Sequence, residues 1–588
     1  MRLSSVRIVT GISCLCFAAA AWQVGANSSS NFTAEAQTPK PQASMQHATS
    51  TKSTPAKAAQ LHAISASVPA TDKTAVPATL PVPLAAPGTE LYTAKRGEAI
   101  PTIARRYLGK TGYLTSSQLA DAIRAVNHKS DASNILKANE NVIIPGILSA
   151  PITEKTIAVP RDFEVRAIYL TGIMAASDHG LRIIKHWREV GGNSVVFDIK
   201  DSDGSVNIPF EHPLLGQHQV YIHDVPKFVH FVHQQNMHAI ARVAIFRDER
   251  LVVNHPELAV QSRKNKTAWR ENGKLVWTDP SNPKVQDYDI ALAKYVAGLG
   301  VDEIQFDYVR FPAEGDQKNA QFVFQNESQQ PEAAPAESAT AENEADQGCS
   351  VEPLSATAPK GRQNTAHGAS RGKDEKPEQA PKGRKTPCVA SKPKGPQRTD
   401  VITAFLKKAY AELHPTGVLL SLDVFGVMAW QRPVDLAHTG QDIVGMAHYC
   451  DVLSPMIYPS HFFGMDNIAH PGDEPAHFIG ESMARFEQIT HPNGDLSTGV
   501  VIRPWLQAFH WRTKTYSPEY IKIQVETAKE KGGIGFLFWN AANDYSKPYE
   551  AMPEMKAADL KQGKDKPKYL RGDELPVTTT QAALTIIK

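Results

Sequence analysis

From Arg166 onward, short apolar runs alternate with stretches whose apolar residues recur every three to four positions. Runs of the first kind read as buried strands, and stretches of the second as amphipathic helices. The pattern predicts a strand over Arg166–Gly172, a helix over Gly180–Val190, a second strand over Ser194–Asp198, a helix over Val225–Gln235 and a third strand over His238–Ile245. A helix over Val285–Leu299 precedes a fourth strand at Glu303–Phe311. A helix over Val401–Leu413 then leads to strands at Val418–Val424, Val452–Tyr458, Gly499–Leu506 and Gly535–Trp539, with helices around Ile479–Ile489 and Pro518–Lys531. Eight strands with helices between them predict an α/β chain built as a (β/α)8 TIM barrel over residues 160–555. A doubly wound open sheet has the same rhythm. No Gly-x-Gly-x-x-Gly follows any strand, so nucleotide binding has little support.

A smaller island of periodicity occupies residues 89–147. Tyr92-Thr-Ala-Lys-Arg-Gly-Glu98 reads as a strand ending in a glycine turn. Ile100, Ile103, Ala104 and Tyr107 share one helical face. Leu119, Ile123 and Val126 share another, on a second helix that stops at Asn127, and Val142-Ile-Ile-Pro145 closes the unit as a strand. With its Ile103-Ala-Arg-Arg-Tyr107 helix, this strand–helix–helix–strand unit resembles the LysM module. The resemblance implies a small α+β module that binds N-acetylglucosamine-containing glycans such as peptidoglycan. A structural spacer without glycan affinity is the plainer alternative.

Composition changes the picture at the segments outside these two islands. The 41 prolines in 588 residues exceed the usual ~5%. Residues 27–88 are Ala, Ser, Thr, Pro, Gln and Lys with almost no aromatics, and cannot bury enough apolar surface to offset their ordering entropy. They read as a disordered linker. A second such segment, 314–398, interrupts the barrel after the fourth strand, and a third, 556–588, forms a tail. The insertion is acidic in its first half (Glu327, Glu332, Glu337) and basic in its second (Arg371, Lys382, Lys385). It reads either as a solvated, self-neutralising loop or as a basic tether for anionic wall polymers. The overall charge of +2 gives no support for a nucleic-acid partner.

Arg2 and Arg7 flank a short positive start, Ile8–Trp22 is apolar, and Val24-Gly-Ala26 offers a small-residue cleavage site. This order predicts a signal peptide over 1–26 and an exported protein that is periplasmic, wall-associated or extracellular. An uncleaved N-terminal membrane anchor is the alternative. No other run of about twenty apolar residues exists, which excludes a polytopic membrane protein. Beyond that segment lie Cys349, Cys388 and Cys450, too few for a disulfide framework and without metal-site spacing. A Cys349–Cys388 bridge stays open.

In a barrel, chemistry sits at the C-terminal ends of the strands. Here those ends carry Asp198 and Lys200, then Asp307, Tyr308 and Arg310, then Asp423, then Tyr458 and His461, then Arg503 and Trp505, and finally Trp539 with Asn543 beyond it. A single carboxylate in an apolar run is often a cap or a core ion pair. Asp198, Asp307 and Asp423 together are less easily explained that way, because buried charge is costly unless paired. Two carboxylates facing each other across a mouth lined with Tyr and Trp are what glycoside hydrolysis requires. Asp201-Ser-Asp203-Gly204 has the look of part of a calcium loop, and with Asp198 it suggests metal-assisted hydrolysis as a third and weaker idea. The later glutamate of such a loop is missing, so neither a metal nor any other cofactor is expected.

The segments Gly191-Gly-Asn-Ser-Val-Val-Phe-Asp-Ile-Lys-Asp201, Ile304-Gln-Phe-Asp-Tyr-Val-Arg-Phe-Pro312, Ser454-Pro-Met-Ile-Tyr-Pro-Ser-His461 and Gly535-Phe-Leu-Phe-Trp-Asn540 resemble a glycoside hydrolase family distantly related to the α-amylase clan. The resemblance implies a nucleophile at the end of strand four, Asp307, and an acid/base at the end of strand five. There the clan often has Glu and this chain has Asp423. Strand seven carries no carboxylate, unlike standard α-amylases. Asp198, Lys200, Tyr308, Arg310, Tyr458, His461, Arg503, Trp505, Trp539 and Asn543 would surround the sugar. The implied substrate is a polysaccharide of the cell envelope, peptidoglycan or another. A non-catalytic glycan-binding or wall-scaffold protein remains the alternative.

Overall fold

Eight parallel strands close on themselves in the computed structural model, which describes residues 88–130, 134–327, 395–495 and 498–559. The predicted signal, nearly all of the predicted 27–88 linker, most of the insertion with Cys349 and Cys388, and the tail past Asp559 lie outside the described residues. In order, the barrel strands are Val165–Leu170, Ser194–Lys200, His238–Ala244, Glu303–Asp307, Leu419–Phe425, Val452–Ile457, Val501–Ile502 continued by Trp505–Gln507, and Gly535–Trp539. Each pairs with its sequence neighbours. The eighth strand pairs with the first (Leu537 beside Ala167), which closes the sheet and removes the open-sheet alternative. Helices over Asp178–Val190, Val225–Gln234, Pro283–Ala297, Arg398–Leu413, Pro475–Thr490 and Pro518–Glu530 fall close to their predicted places, and a further helix, Ser546–Asp559, runs past the predicted tail boundary at 556.

Side chains alternate along each strand, so one set fills the barrel and the other meets the helices. Val165, Ala167, Tyr169, Val196, Ile240, Trp505 and Leu537 form the inner cluster. Outside, Phe306 stacks on Phe405 of the helix Arg398–Leu413. Trp187 donates its indole N–H to Arg166 O at 3.0 Å, and a Cβ on Gly192 would stand 2.1 Å from that nitrogen, so the turn into the second strand needs glycine.

Three boundaries differ from the sequence pattern. The fourth strand ends at Asp307 rather than Phe311, because Tyr308 takes a left-handed conformation (φ 56°) and its N–H is captured by the Asp307 carboxylate at 2.6 Å. The seventh strand is broken at Arg503-Pro504, where proline has no N–H to give to the ladder. The insertion begins later than 314. Ala320–Gln321 pairs antiparallel with Gln261–Ser262, and the barrel unit runs to Phe322 and resumes at Gln397. Arg398 holds this edge, with its guanidinium over the Phe311 and Phe322 rings. Residues 323–396 are a separate unit, in which the short helix Phe324–Glu327 is the one element among the described residues.

The floor of the barrel is ionic. Arg503 donates Nη1 to both oxygens of Glu303, at 2.9 and 2.8 Å, and His238 Nε2 lies 3.2 Å from Oε2. Burial opposes ionisation of Glu303, but Arg503 and His238 win and hold it at about 2.

The small module has the predicted strand–helix–helix–strand order. Thr89–Thr93 pairs antiparallel with Asn141–Pro145, and helices Ile100–Tyr107 and Ser116–Val126 pack over them through Ile103, Leu119, Ile123 and Val142. Val126 is 40% exposed and does not join that core. Asn127 ends the second helix by exchanging side-chain hydrogen bonds with the backbone of Ile143 and donating to Ile123 O. Thr115 bonds Asp178, and Lys227 donates to Leu108 O, which ties the module to barrel helices.

Candidate active site

A cavity of about 370 Å³ opens at the C-terminal ends of the strands, within the size range of ligand pockets. It brings together Asp307, Tyr308, Arg310, Asp423, Tyr458, His461, Trp505 and Trp539 from strands four to eight. These residues are far apart in sequence, and closure of the barrel is what makes them neighbours.

Arg242, on strand three, organises the centre. Its Nε and Nη2 reach Asp307 Oδ2 at 3.1 and 2.6 Å, and its Nη1 reaches Asp198 Oδ1 at 2.5 Å. The guanidinium also lies 5.6 and 5.3 Å from the ring centroids of Tyr169 and Trp539. Asp307 Oδ1 accepts the Tyr308 N–H, so both of its oxygens are positioned by donors. Asp423 is treated differently. Its Oδ1 accepts from Trp505 Nε1 at 2.6 Å and Gln305 Nε2 at 2.9 Å, and its Oδ2 has no hydrogen-bond partner among the described residues. Burial, and then the neighbouring Asp307 charge, push the Asp423 carboxyl well above the usual carboxylate range. Asp198 is raised to about 7, chiefly by burial, although Arg242 and a hydrogen bond from the Tyr169 hydroxyl oppose the rise.

The aromatic wall is continuous. Tyr169 stacks on Trp539 at 4.1 Å, Trp539 meets Trp505 edge-on at 5.6 Å, and Tyr458 lies against His461 and Phe509. Burial, followed by the Arg512 charge, lowers His461 to about 4, so it is a neutral imidazole at neutral pH.

Four residues expected around the sugar do not line the cavity. Lys200 is fully enclosed by Asp248 and Asp289, at 2.9 and 2.8 Å. A register shift between Asp198 and Lys200 turns it away from the barrel interior towards the helix that carries Asp289. Arg503 belongs to the floor, bound to Glu303. Asn543 is buried in the turn after strand eight, donating to Tyr169 O and Asn540 O. Asp198 is also fully buried, and its contact with a residue that lines the cavity is through Arg242. Asp201 and Asp203 bond the backbone of their own turn and Asp203 pairs with Arg250; among the described residues no group of metal-ligating side chains forms.

Sequence reasoning missed Arg242 and Gln305. Each is a polar residue inside an apolar strand, the same signal that singled out Asp198 and Asp307. It also missed Arg247, Glu271, Phe509 and Trp511, which arrive on loops where no periodicity points to a face.

Among solved structures, the chain is similar to a hypothetical protein from Ruminiclostridium thermocellum (38% identity, 26% of this chain and 80% of that one, TM-score 0.24). It is also similar to the PgaB (BpsB) glycoside hydrolase domain from Bordetella bronchiseptica (12% identity, 66% and 98%, TM-score 0.42). A third likeness is to the spore cortex-lytic enzyme SleL of Bacillus megaterium (11% identity, 79% and 85%, TM-score 0.33). At these scores the likenesses carry no chemistry over to this chain. No curated protein matches it. The family described as "Putative glycosyl hydrolase domain" (DUF4015) matches residues 167–545, from the first barrel strand to just past the eighth, and the chain belongs to that glycoside hydrolase family.

Proposed function

We propose that this chain is an exported hydrolase of a cell-envelope or extracellular polysaccharide, with Asp307 as nucleophile and Asp423 as acid/base. The observation that carries the reading is the unequal treatment of two carboxyls in one cavity. Asp307 is ion-paired with Arg242, whereas Asp423 is pushed towards its neutral, proton-bearing form. Environments that drive two titratable groups apart mark an acid and its partner. Asp423 protonates the glycosidic oxygen as the bond to the anomeric carbon breaks, and Asp307 attacks that carbon to form a glycosyl ester. Water, deprotonated by Asp423, then releases the sugar and restores both groups. Tyr458 and Trp539 supply aromatic surface to the cavity that would hold the sugar. The position of Asp307 at the end of strand four agrees with the resemblance to the α-amylase clan.

The small module supports an envelope substrate through its LysM resemblance, holding the chain on a glycan while the barrel works. The N-terminal segment supports export. The test is release of reducing ends from purified peptidoglycan and from other bacterial polysaccharides by the full chain, with Asp307→Asn as control. Turnover that disappears in the variant, with an unchanged circular dichroism spectrum, is expected. Full activity in Asp307→Asn would remove the nucleophile, and binding without release from every glycan would favour a scaffold. Proton NMR of the first-formed anomer then reports retention, as a glycosyl ester requires.

A further inference from the structure

Beside Asp307 the cavity wall carries two guanidinium groups that no carboxylate holds. Arg247 donates Nη1 to the Tyr308 hydroxyl at 2.9 Å and lies 5.2 Å from the centroid of that ring. Arg310 donates Nη1 to Phe311 O at 3.0 Å and sits 4.5 Å from the centroids of both Trp277 and Phe425. Among the described residues neither forms a salt bridge, whereas Arg242, the other arginine in the cavity, is committed to Asp198 and Asp307. The acidic side chains on this wall are engaged elsewhere. Glu271 accepts from Trp277 Nε1 and from the N–H groups of Ala313 and Glu314, and Glu314 accepts from Asn272.

Holding two like charges in a partly buried wall is unfavourable unless something answers them. Burial disfavours the Arg310 cation, and so does Arg247, while Glu271, Tyr308 and Asp307 favour it. Tyr308 lies against both guanidiniums and keeps a left-handed backbone, a conformation that is unfavourable in a non-glycine residue and that clusters at ligand sites. Among the described residues each guanidinium uses only its Nη1 in a hydrogen bond, which leaves N–H donors for a planar acceptor such as a carboxylate. An acidic sugar approaching Asp307 would otherwise be repelled by it.

Resting on the glycoside hydrolase reading, we propose that Arg247 and Arg310 form a subsite for the carboxylate of an acidic sugar next to the bond that is cleaved. That carboxylate is either a uronic acid or the lactyl group of a muramic-type sugar.

The test uses the full chain carrying Asp423→Asn, which slows turnover and leaves the charge of the site as it is when Asp423 is protonated. Two matched pairs are titrated by calorimetry: a glucuronate-containing oligosaccharide with its carboxyl-reduced form, and a muramic-acid-containing oligosaccharide with its N-acetylglucosamine counterpart. In at least one pair the acidic member should bind about tenfold tighter, as a charge-assisted contact allows. Added salt should reduce that preference. Arg247→Gln and Arg310→Gln should each diminish it, and Arg247→Lys should restore part of it. The pair that responds identifies the sugar. Equal affinity within both pairs, or a preference that survives both glutamine variants, overturns the subsite. Cleavage of only neutral glycans by the unmodified chain does the same while leaving the hydrolase reading intact. Arginine-dependent binding of acidic probes without cleavage of any glycan supports the subsite and sinks the hydrolase.

Discussion

The barrel holds two ionic layers built from the same parts, one at its floor and one at its mouth. Strand four supplies a carboxylate to each, Glu303 below and Asp307 above. An arginine from another strand meets each of them, Arg503 below and Arg242 above. The difference lies in the ratio of cations to anions. On the floor one arginine serves one carboxylate, with His238 assisting, and Glu303 is held at about 2. At the mouth Arg242 is divided between Asp198 and Asp307, and Asp423 receives only the neutral donors Trp505 and Gln305. Burial, unopposed by any direct cation contact, drives Asp423 up. A carboxyl is made inert by giving it a full set of charged partners and reactive by withholding them.

Asp423→Asn breaks the mouth most severely. It removes the proposed proton donor and should slow cleavage of natural glycans by roughly 10²–10⁴-fold, the usual range for general acid catalysis. Aryl glycosides whose phenol leaves without protonation should lose far less. Equal losses on both substrate kinds, measured as kcat/KM, would show that Asp423 does not protonate the leaving group.

Glu303→Gln tests the floor, and its effect should fall on stability rather than on chemistry. Removing one partner of a buried pair costs about 3–5 kcal/mol, because Arg503 is left uncompensated. At roughly 2–4 °C per kcal/mol for a domain of this size, Tm should fall by about 10 °C. The pH dependence has a definite sign. Glu303 has a depressed pKa, so its stabilisation is present above an unfolded value of ~4.3 and is lost as pH falls towards about 2. The variant should therefore lose less stability on acidification than the parent, as followed by thermal melts between those pH values. A variant that melts normally but fails to turn over would reverse the roles of the two layers.

Much of this division is legible in the sequence. Glu303, Gln305 and Asp307 alternate along strand four, and a period of two places all three on the inner face. His238 and Arg242 on strand three, and Arg503 and Trp505 on strand seven, obey the same parity. Parity shows which face a residue occupies but not its depth. The pattern therefore puts Arg503 at the mouth, although the break at Pro504 sets it on the floor beside Glu303. Parity also fails at irregularities. Lys200 shares the parity of Asp198, but the register shift between them sends it to Asp248 and Asp289. Residues on long connections, such as Arg247 and Trp511, carry no periodic signal, and only the closed barrel shows that they reach the cavity.

Trp505→Phe makes the finest cut, because it keeps a ring in the aromatic wall and removes a single N–H. That N–H donates to Asp423 Oδ1 at 2.6 Å and favours the ionised carboxylate, so it pulls Asp423 down against the burial that raises it. Without it Asp423 should hold its proton to higher pH. Activity that depends on protonated Asp423 falls as pH rises through its pKa, so the alkaline limb of the rate profile should move up while the acid limb stays in place. Gln305 still donates to the same oxygen, which keeps the carboxyl positioned and limits the loss at the optimum. An alkaline limb that stays fixed or moves down would mean that another group controls it, and the mouth would then owe its reactivity to something other than the neutral donors around Asp423.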